Sequence, residues 1–308
     1  MNLQWLDDVL VLLEEQNLTR AAVRRNVTQP AFSRRIRSFE DWLGTSVLER
    51  GTNRVGLSPA LRANEANIRA LITRIEELRN QMLTFDPASS TITIAAQHSP
   101  IHSTFPEMAV LAKHRFPSLK FRLRAGNQRD SVSMFLRQDA DVLLCYEAEE
   151  DDPLPFGETV KQSVWGTDHL VPVIGGKLRF LVSGEGTITE DQPAIIYPMS
   201  SYFGQTLSNS ARPYGTRAFS SNVACETAFS NGIKELVLKG LGVGWLPLSM
   251  SYKEIECGEL IALTSQYGRV PLRIALYAHA DNAVAVDLLD HWASRGRAVR
   301  SDPDGSDK

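Results

Sequence analysis

The chain has 308 residues, of which 43% are hydrophobic and 22% charged. That length accommodates two or three domains with real cores, and that composition excludes a disordered or fibrous protein. The formal net charge of -3 gives no reason to expect nucleic acid if charge is averaged over the whole chain. The average conceals an asymmetry. Residues 1–85 carry 12 Arg, no Lys and 10 acids, which leaves 21 basic and 26 acidic residues for the remainder. Between Arg20 and Arg54 stand eight arginines (20, 24, 25, 34, 35, 37, 50 and 54) against Glu40, Asp41 and Glu49, a local footprint of the kind a phosphate backbone attracts.

In chain order, Leu3, Leu6, Val9, Leu10 and Leu13 fall at helical spacing and predict an opening amphipathic helix. Thr19 reads as the cap of a short second helix, Arg20-Ala21-Ala22-Val23, whose small residues permit close packing. Thr28 is a suitable cap for a third helix, with Pro30 in its first turn, where the missing N–H would have had no partner. In that helix Phe32, Ile36, Phe39 and Leu43 make one buried stripe. The opposite face presents Gln29, Ser33, Arg34 and Arg37, hydrogen-bonding and cationic groups of the kind that meet a major groove. Gly44 closes the helix, and the basic loop 50–54 between Val47-Leu48 and Val55-Leu57 reads as a wing. Leu61, Asn64, Ile68, Leu71, Ile75, Leu78, Met82 and Phe85 alternate steps of three and four, a heptad seam expected to dimerise the chain, with Asn64 setting register. Asp86-Pro87-Ala88-Ser89-Ser90 ends it with turn formers.

From residue 91 strands alternate with helices. Strands are expected at 91–95, 120–124, 141–145, 170–173, 194–197, 243–246 and 273–277, with helices at about 103–115 and 285–295. This alternation predicts an α/β fold. The tail 297–308 is expected to be disordered. No window reaches the ~18 apolar residues of a membrane span and no leader is evident, so a cytoplasmic, nucleoid-associated protein is expected. Cys145, Cys225 and Cys257 lack C-x-x-C spacing and read as structural thiols, with a redox switch at Cys or Met as the alternative. His98 and His102 have no third ligand nearby, so neither a metal nor a cofactor is expected. No catalytic motif such as G-x-S-x-G, H-E-x-x-H or G-x-x-x-x-G-K-[ST] occurs, which excludes the common enzyme classes.

The block from Leu18 to Arg37, continuing through Phe39-Glu40, Leu43-Gly44 and Glu49-Arg50, resembles the helix-turn-helix of LysR-type transcriptional regulators. Leu236-Val237-Leu238-Lys239-Gly240-Leu241-Gly242-Val243-Gly244-Trp245-Leu246-Pro247 is similar to the family's V-x-x-G-x-G-[IV]-x-x-x-P segment. Two such matches roughly 200 residues apart cover about residues 3–295. Within the family, the first block and Ser200-Ser201-Tyr202-Phe203-Gly204 are most similar to hypochlorite-responsive regulators. The chain departs from the pattern at Leu61, where the family has Gly, and in Leu136–Asp141, where a glycine before the third strand's Asp is missing.

The resemblance implies an all-α winged helix-turn-helix head (1–58), a linker and dimerisation helix (59–86) and an α/β periplasmic-binding-protein-like sensor (91–296). The sensor would have one subdomain at 91–163 and 269–296 and another at 164–268, with an effector between them. It places Thr28, Gln29, Pro30, Ala31, Ser33, Arg34 and Arg37 at DNA, with Arg50 and Arg54 in the wing. Gln29 and Arg34 can read base edges, whereas Ser33, Arg37, Arg50 and Arg54 suit phosphates. It places His98, Ser99, Ile101 and His102 of one half, and Ser200, Ser201, Tyr202, Phe203, Ser221 and Asn222 of the other, at the cleft. Ser221 and Asn222 are expected before a helix start. The partners implied are promoter DNA, RNA polymerase, a small-molecule effector and further copies of the chain, as a dimer or dimer of dimers held by Leu61, Ile68, Leu71, Ile75, Leu78 and Met82. The effector would alter promoter geometry.

Overall fold

The computed structural model describes residues 2–49, 56–83, 90–188, 192–209 and 222–295. Arg50, Arg54 and the rest of the wing loop, Phe85, most of the expected boundary, Ser221 and the tail 297–308 lie outside the described residues. The chain divides into two compact units, Met1–Pro87 and Ala88–Lys308.

The first unit opens with helices α1 (Leu3–Glu15), α2 (Leu18–Arg24) and α3 (Gln29–Leu43). Leu6, Val9, Leu12 and Leu13 of α1 are buried against Ala21, Ala22, Phe32, Ile36 and Phe39. The cap of α2 is Asn17, whose side chain accepts from the N–H groups of Thr19 and Arg20. Thr19, the expected cap, lies inside the first turn, and the Asn17 side-chain oxygen satisfies two of the helix's unpaired donors at once. Thr28 precedes α3 in extended conformation without a side-chain capping bond, and Gly44 ends the helix at a left-handed φ of 75°. Leu43, expected in the buried stripe, is exposed, since the stripe outruns the core. It lines an open groove with Trp42, Leu61, Ile68 and Leu71 instead.

Strands β1 (Leu48–Glu49) and β2 (Gly56–Leu57) pair antiparallel as the root of the wing. Glu40 Oε1 in the last turns of α3 accepts from the N–H groups of Val47 (2.8 Å) and Leu48 (3.1 Å), which ties that root to the helix. The seam expected to run unbroken from Leu61 is two helices, α4 (Pro59–Ala63) and α5 (Glu65–Leu83). Asn64 marks the break, its side-chain amide folded back onto the Ala60 carbonyl at 2.9 Å. Leu61 is a correction to the expected interface: the helix already starts at Pro59, so its third residue points into the head's own core. Ile68 and Ile72 pack partly on that core, and Arg69 spans Glu14 and Glu65 at 2.8 Å each. Further along α5, Leu71, Leu78 and Met82 are exposed, and Ile75 is half-buried.

The second unit is α/β. Its first half runs β3 (Thr91–Gln97), α6 (His98–Ser103), α7 (Phe105–Arg115), β4 (Lys120–Gly126), α8 (Gln128–Leu136) and β5 (Val142–Ala148). The helix expected from 103 to 115 is thus preceded by a separate turn of helix, with Pro106 in the first turn of α7. The long strand β6 (Val160–Gly175) leads through a 3-10 helix to β7 (Ala194–Ile196), α9 (Tyr202–Asn209), β8 (Val223–Glu226), α10 (Ser230–Leu238), β9 (Val243–Pro247) and α11 (Leu248–Glu256). The last elements are β10 (Leu260–Ala262), α12 (Thr264–Tyr267), β11 (Val270–His279) and α13 (Ala283–Ala293).

The strands form one sheet of order β4-β3-β5-β11-β6-β9-β7-β8, with β10 also on β6. β5 is buried along its whole length because both faces are covered. Val142, Leu144 and Tyr146 face the larger core, and Leu143 and Cys145 face a smaller one with Phe135 and Tyr277. β6 pairs with β11 from Val160 to Leu170 and with β9 from Leu170 onward, with a register shift around Trp165. The two halves therefore exchange partners within a strand, seven residues beyond the expected 163/164 boundary. The Gly240–Gly244 segment has a steric reason. A Cβ on Gly242 would lie 2.4 Å from the Pro193 carbonyl oxygen. In the stretch that lacks the family's glycine, Gln138 takes a left-handed φ of 58°.

Candidate nucleic-acid interface and effector cleft

Six arginines of the basic stretch are described, and the structure sorts them into two groups. Arg24 pairs with Glu14 at 2.6 Å, and Arg20 with Glu15 at 3.4 Å. Arg25 and Arg35 meet the fully buried carboxylate of Asp8 at 2.6 and 3.5 Å. These four clamp α1, α2 and the inner side of α3. Arg34 and Arg37 are exposed on the outer side of α3 and make no ion pair among the described residues. Beside them, Gln29 Nε2 donates to Ser33 Oγ at 2.9 Å. Thr28, Gln29 and Pro30 are exposed at the start of α3, and Ala31 is half-buried. The face offers two free guanidinium forks and an amide oriented by a hydroxyl, groups that match guanine and adenine edges and phosphates.

In the second unit the ends of β3 and β4, the start of α9 and the turn before α10 converge. His98, Ser99, Ser201, Tyr202 and Phe203 line a small cleft together with Gln97, Gly126, Asn127, Gln128, Tyr197 and Ala228. The last six escaped sequence reasoning, as did Ser230. Buried Ser99 Oγ and Ser230 Oγ lie 2.8 Å apart, and the Tyr197 hydroxyl lies 2.8 Å from Ser230 Oγ, a hydroxyl chain that stitches the two halves. Burial raises the Tyr197 phenol, so it stays protonated throughout the physiological range. His98 stands edge-on to Phe229 at 4.9 Å. An outer pocket of about 170 Å³, lined by Arg129, Asp130, Ser200 and Gln205, adjoins the cleft and shares Asn127, Gln128 and Tyr202 with it.

Three expected cleft residues stand elsewhere. Ile101 is half-buried and packs against the core. His102 is exposed outside the cleft. Asn222 precedes strand β8 rather than a helix, its carbonyl accepting from Ala194 N–H at 2.8 Å, and the helix start of this region belongs to Ser230. Among the described residues no group of three His, Cys, Asp or Glu side chains could hold a metal, and no helix is long and apolar enough to cross a membrane. Trp245 lies in the core. Cys145 is buried, and burial followed by the nearby Glu147 charge pushes its thiol well above its ordinary range, which disfavours the reactive thiolate.

Comparison with known proteins gives two family matches. Residues 3–60 match the model described as "Bacterial regulatory helix-turn-helix protein, lysR family", and residues 86–293 match "LysR substrate binding domain". The chain is 27% identical over 281 residues to the HTH-type transcriptional regulator YjiE of Escherichia coli, covering 89% of this chain and 88% of that protein. Its fold is similar to full-length HypT of Salmonella typhimurium, with a TM-score of 0.61, 24% identity, and coverage of 96% of this chain and 99% of that one. It is also similar to Vibrio fischeri DarR solved in complex with DNA, with a TM-score of 0.58, 23% identity, and coverage of 95% and 98%.

Proposed function

Because the chain belongs to the LysR family of DNA-binding transcriptional regulators, with a helix-turn-helix head and an effector-binding sensor, we propose that it works as a dimer or dimer of dimers whose two α3 helices enter successive major grooves of promoter DNA. The observation that carries this reading is the sorting of arginines. Four are paired with carboxylates of α1, while Arg34 and Arg37, beside Gln29 on one exposed face, carry no ion pair among the described residues. A solvated helix face alone would not require neighbouring arginines to be neutralised one by one.

The cleft holding Ser99, Tyr197, Tyr202 and Ser230 receives a small-molecule effector and, by favouring one arrangement of the halves, alters promoter geometry and contact with RNA polymerase. The work is cytoplasmic. A thiol switch at Cys145 has less support, because that side chain is sealed and its thiol is pushed upward, whereas Cys225 is half-buried and Cys257 exposed. Titration of the full chain against promoter fragments and random duplexes at two salt concentrations tests the reading. It predicts tighter binding to the former, and indifference to every duplex at low salt would overturn it.

A further inference from the structure

Tyr202 stands at the start of α9, in the second half of the sensor. Its hydroxyl reaches across to the first half, accepting from Ala148 N–H at 2.6 Å and donating to Asp151 Oδ2 at 3.0 Å. That anchorage is itself braced, since Arg273 Nη2 donates to the Asp151 carbonyl at 2.7 Å. The same side chain, with Asn127 and Gln128, lines both pockets and so stands between an inner space of about 20 Å³ and the outer one of about 170 Å³. The inner chamber holds roughly one water. Anything larger reaches Tyr197 and Phe203, both buried, only after this lining moves.

We propose that Tyr202 is the gate of the effector cleft, latched shut by Ala148 and Asp151. This rests on reading the cleft as the effector site. When the phenol swings out it leaves the buried Ala148 N–H without its partner, and an unmade bond of that kind is costly, whereas the exposed Asp151 carboxylate returns to water. The ligand that holds the gate open therefore presents an acceptor to Ala148 N–H. A small molecule bearing a hydroxyl or amide fits, and a purely apolar one does not.

The test uses the full chain, without DNA or effector, as wild type, Tyr202→Phe and Asp151→Asn. Hydrogen exchange is read at the Ala148 amide, and hydroxyl-radical oxidation at Phe203 and Tyr197. In Tyr202→Phe the Ala148 amide should exchange about tenfold faster or more, and oxidation of Phe203 and Tyr197 should rise. Asp151→Asn should show a smaller change in the same direction, while the Ala194 amide, bonded to the Asn222 carbonyl, keeps its rate. Unchanged exchange at Ala148 in Tyr202→Phe overturns the latch. Faster exchange without new oxidation overturns the gate, and an equal rise at Ala194 reduces Tyr202 to a general packing role. None of these outcomes bears on DNA binding, so their failure stays separate from failure of the regulator reading.

Discussion

The Tyr146 hydroxyl donates to Asp168 Oδ2 at 2.8 Å, joining β5 to the long strand β6 deep inside the sensor. Ser249 at the start of α11 adds its hydroxyl at 2.6 Å, and the N–H groups of His169 (2.7 Å) and Ser249 (3.2 Å) donate to Oδ1. Burial outweighs these four bonds and raises the Asp168 carboxyl above its ordinary value. The folded state then holds its proton more tightly than the unfolded chain. Stability from this group is fully present below the unfolded value, about 4, and is lost as pH rises through the folded one. Wild type should therefore lose stability relative to Asp168→Asn as pH rises from about 4. Urea unfolding of both proteins at a series of pH values measures the difference, and a flat difference would contradict the assignment.

Arg34→Ala should weaken binding to specific sites by about 1–3 kcal/mol and affect random duplexes less. Arg54→Ala, in the expected wing, should weaken both and lower the slope of log affinity against log salt by about 1. Equal losses on all sequences in both variants would show that the division into reading and anchoring residues is wrong. Fluorescence anisotropy on labelled duplexes provides the measurement.

Leu78 and Met82 are 55% and 73% exposed on α5, an apolar stripe left open by the head. Replacing both with Glu should shift sedimentation toward the monomer without lowering the helix content of the head. Leu61→Ala should behave differently, because that side chain is 5% exposed within the head's core. It should destabilise the head by about 2–4 kcal/mol in denaturant.

Gln138 carries a Cβ in a left-handed conformation that disfavours side chains. Gln138→Gly should raise stability by about 0.5–1 kcal/mol, the relief of strain exceeding the added freedom of the unfolded chain. A loss of stability would mean that the Gln side chain supports the turn more than its backbone strains it.

What could be read from the sequence followed the range of each interaction. The helix-turn-helix was legible because Phe32, Ile36 and Phe39 repeat at the helical period and the free cations lie opposite them. Leu43 obeyed the same period and still emerged in solvent, since periodicity does not say where a core ends. Strands β3, β5 and β11 announced themselves through β-branched and apolar runs. The cleft was half legible. His98 and Ser99 follow a strand in sequence, but the partner of Ser99 is Ser230, 131 residues away, and only the sheet's crossovers bring them together. The ion pairs of Asp8 were hidden for the same reason: Arg25 and Arg35 come from separate helices.

The partner exchange inside β6 limits how the sensor can move. The β6–β11 ladder, which ends at Leu170, belongs to one half and the β6–β9 ladder, which begins there, to the other, so the strand can bend at Leu170 without breaking either ladder. The irregularity near Trp165 lies within the first of these ladders and adds twist there. Movement of the halves would then pivot at one point of a continuous ribbon, with both ladders carried along intact.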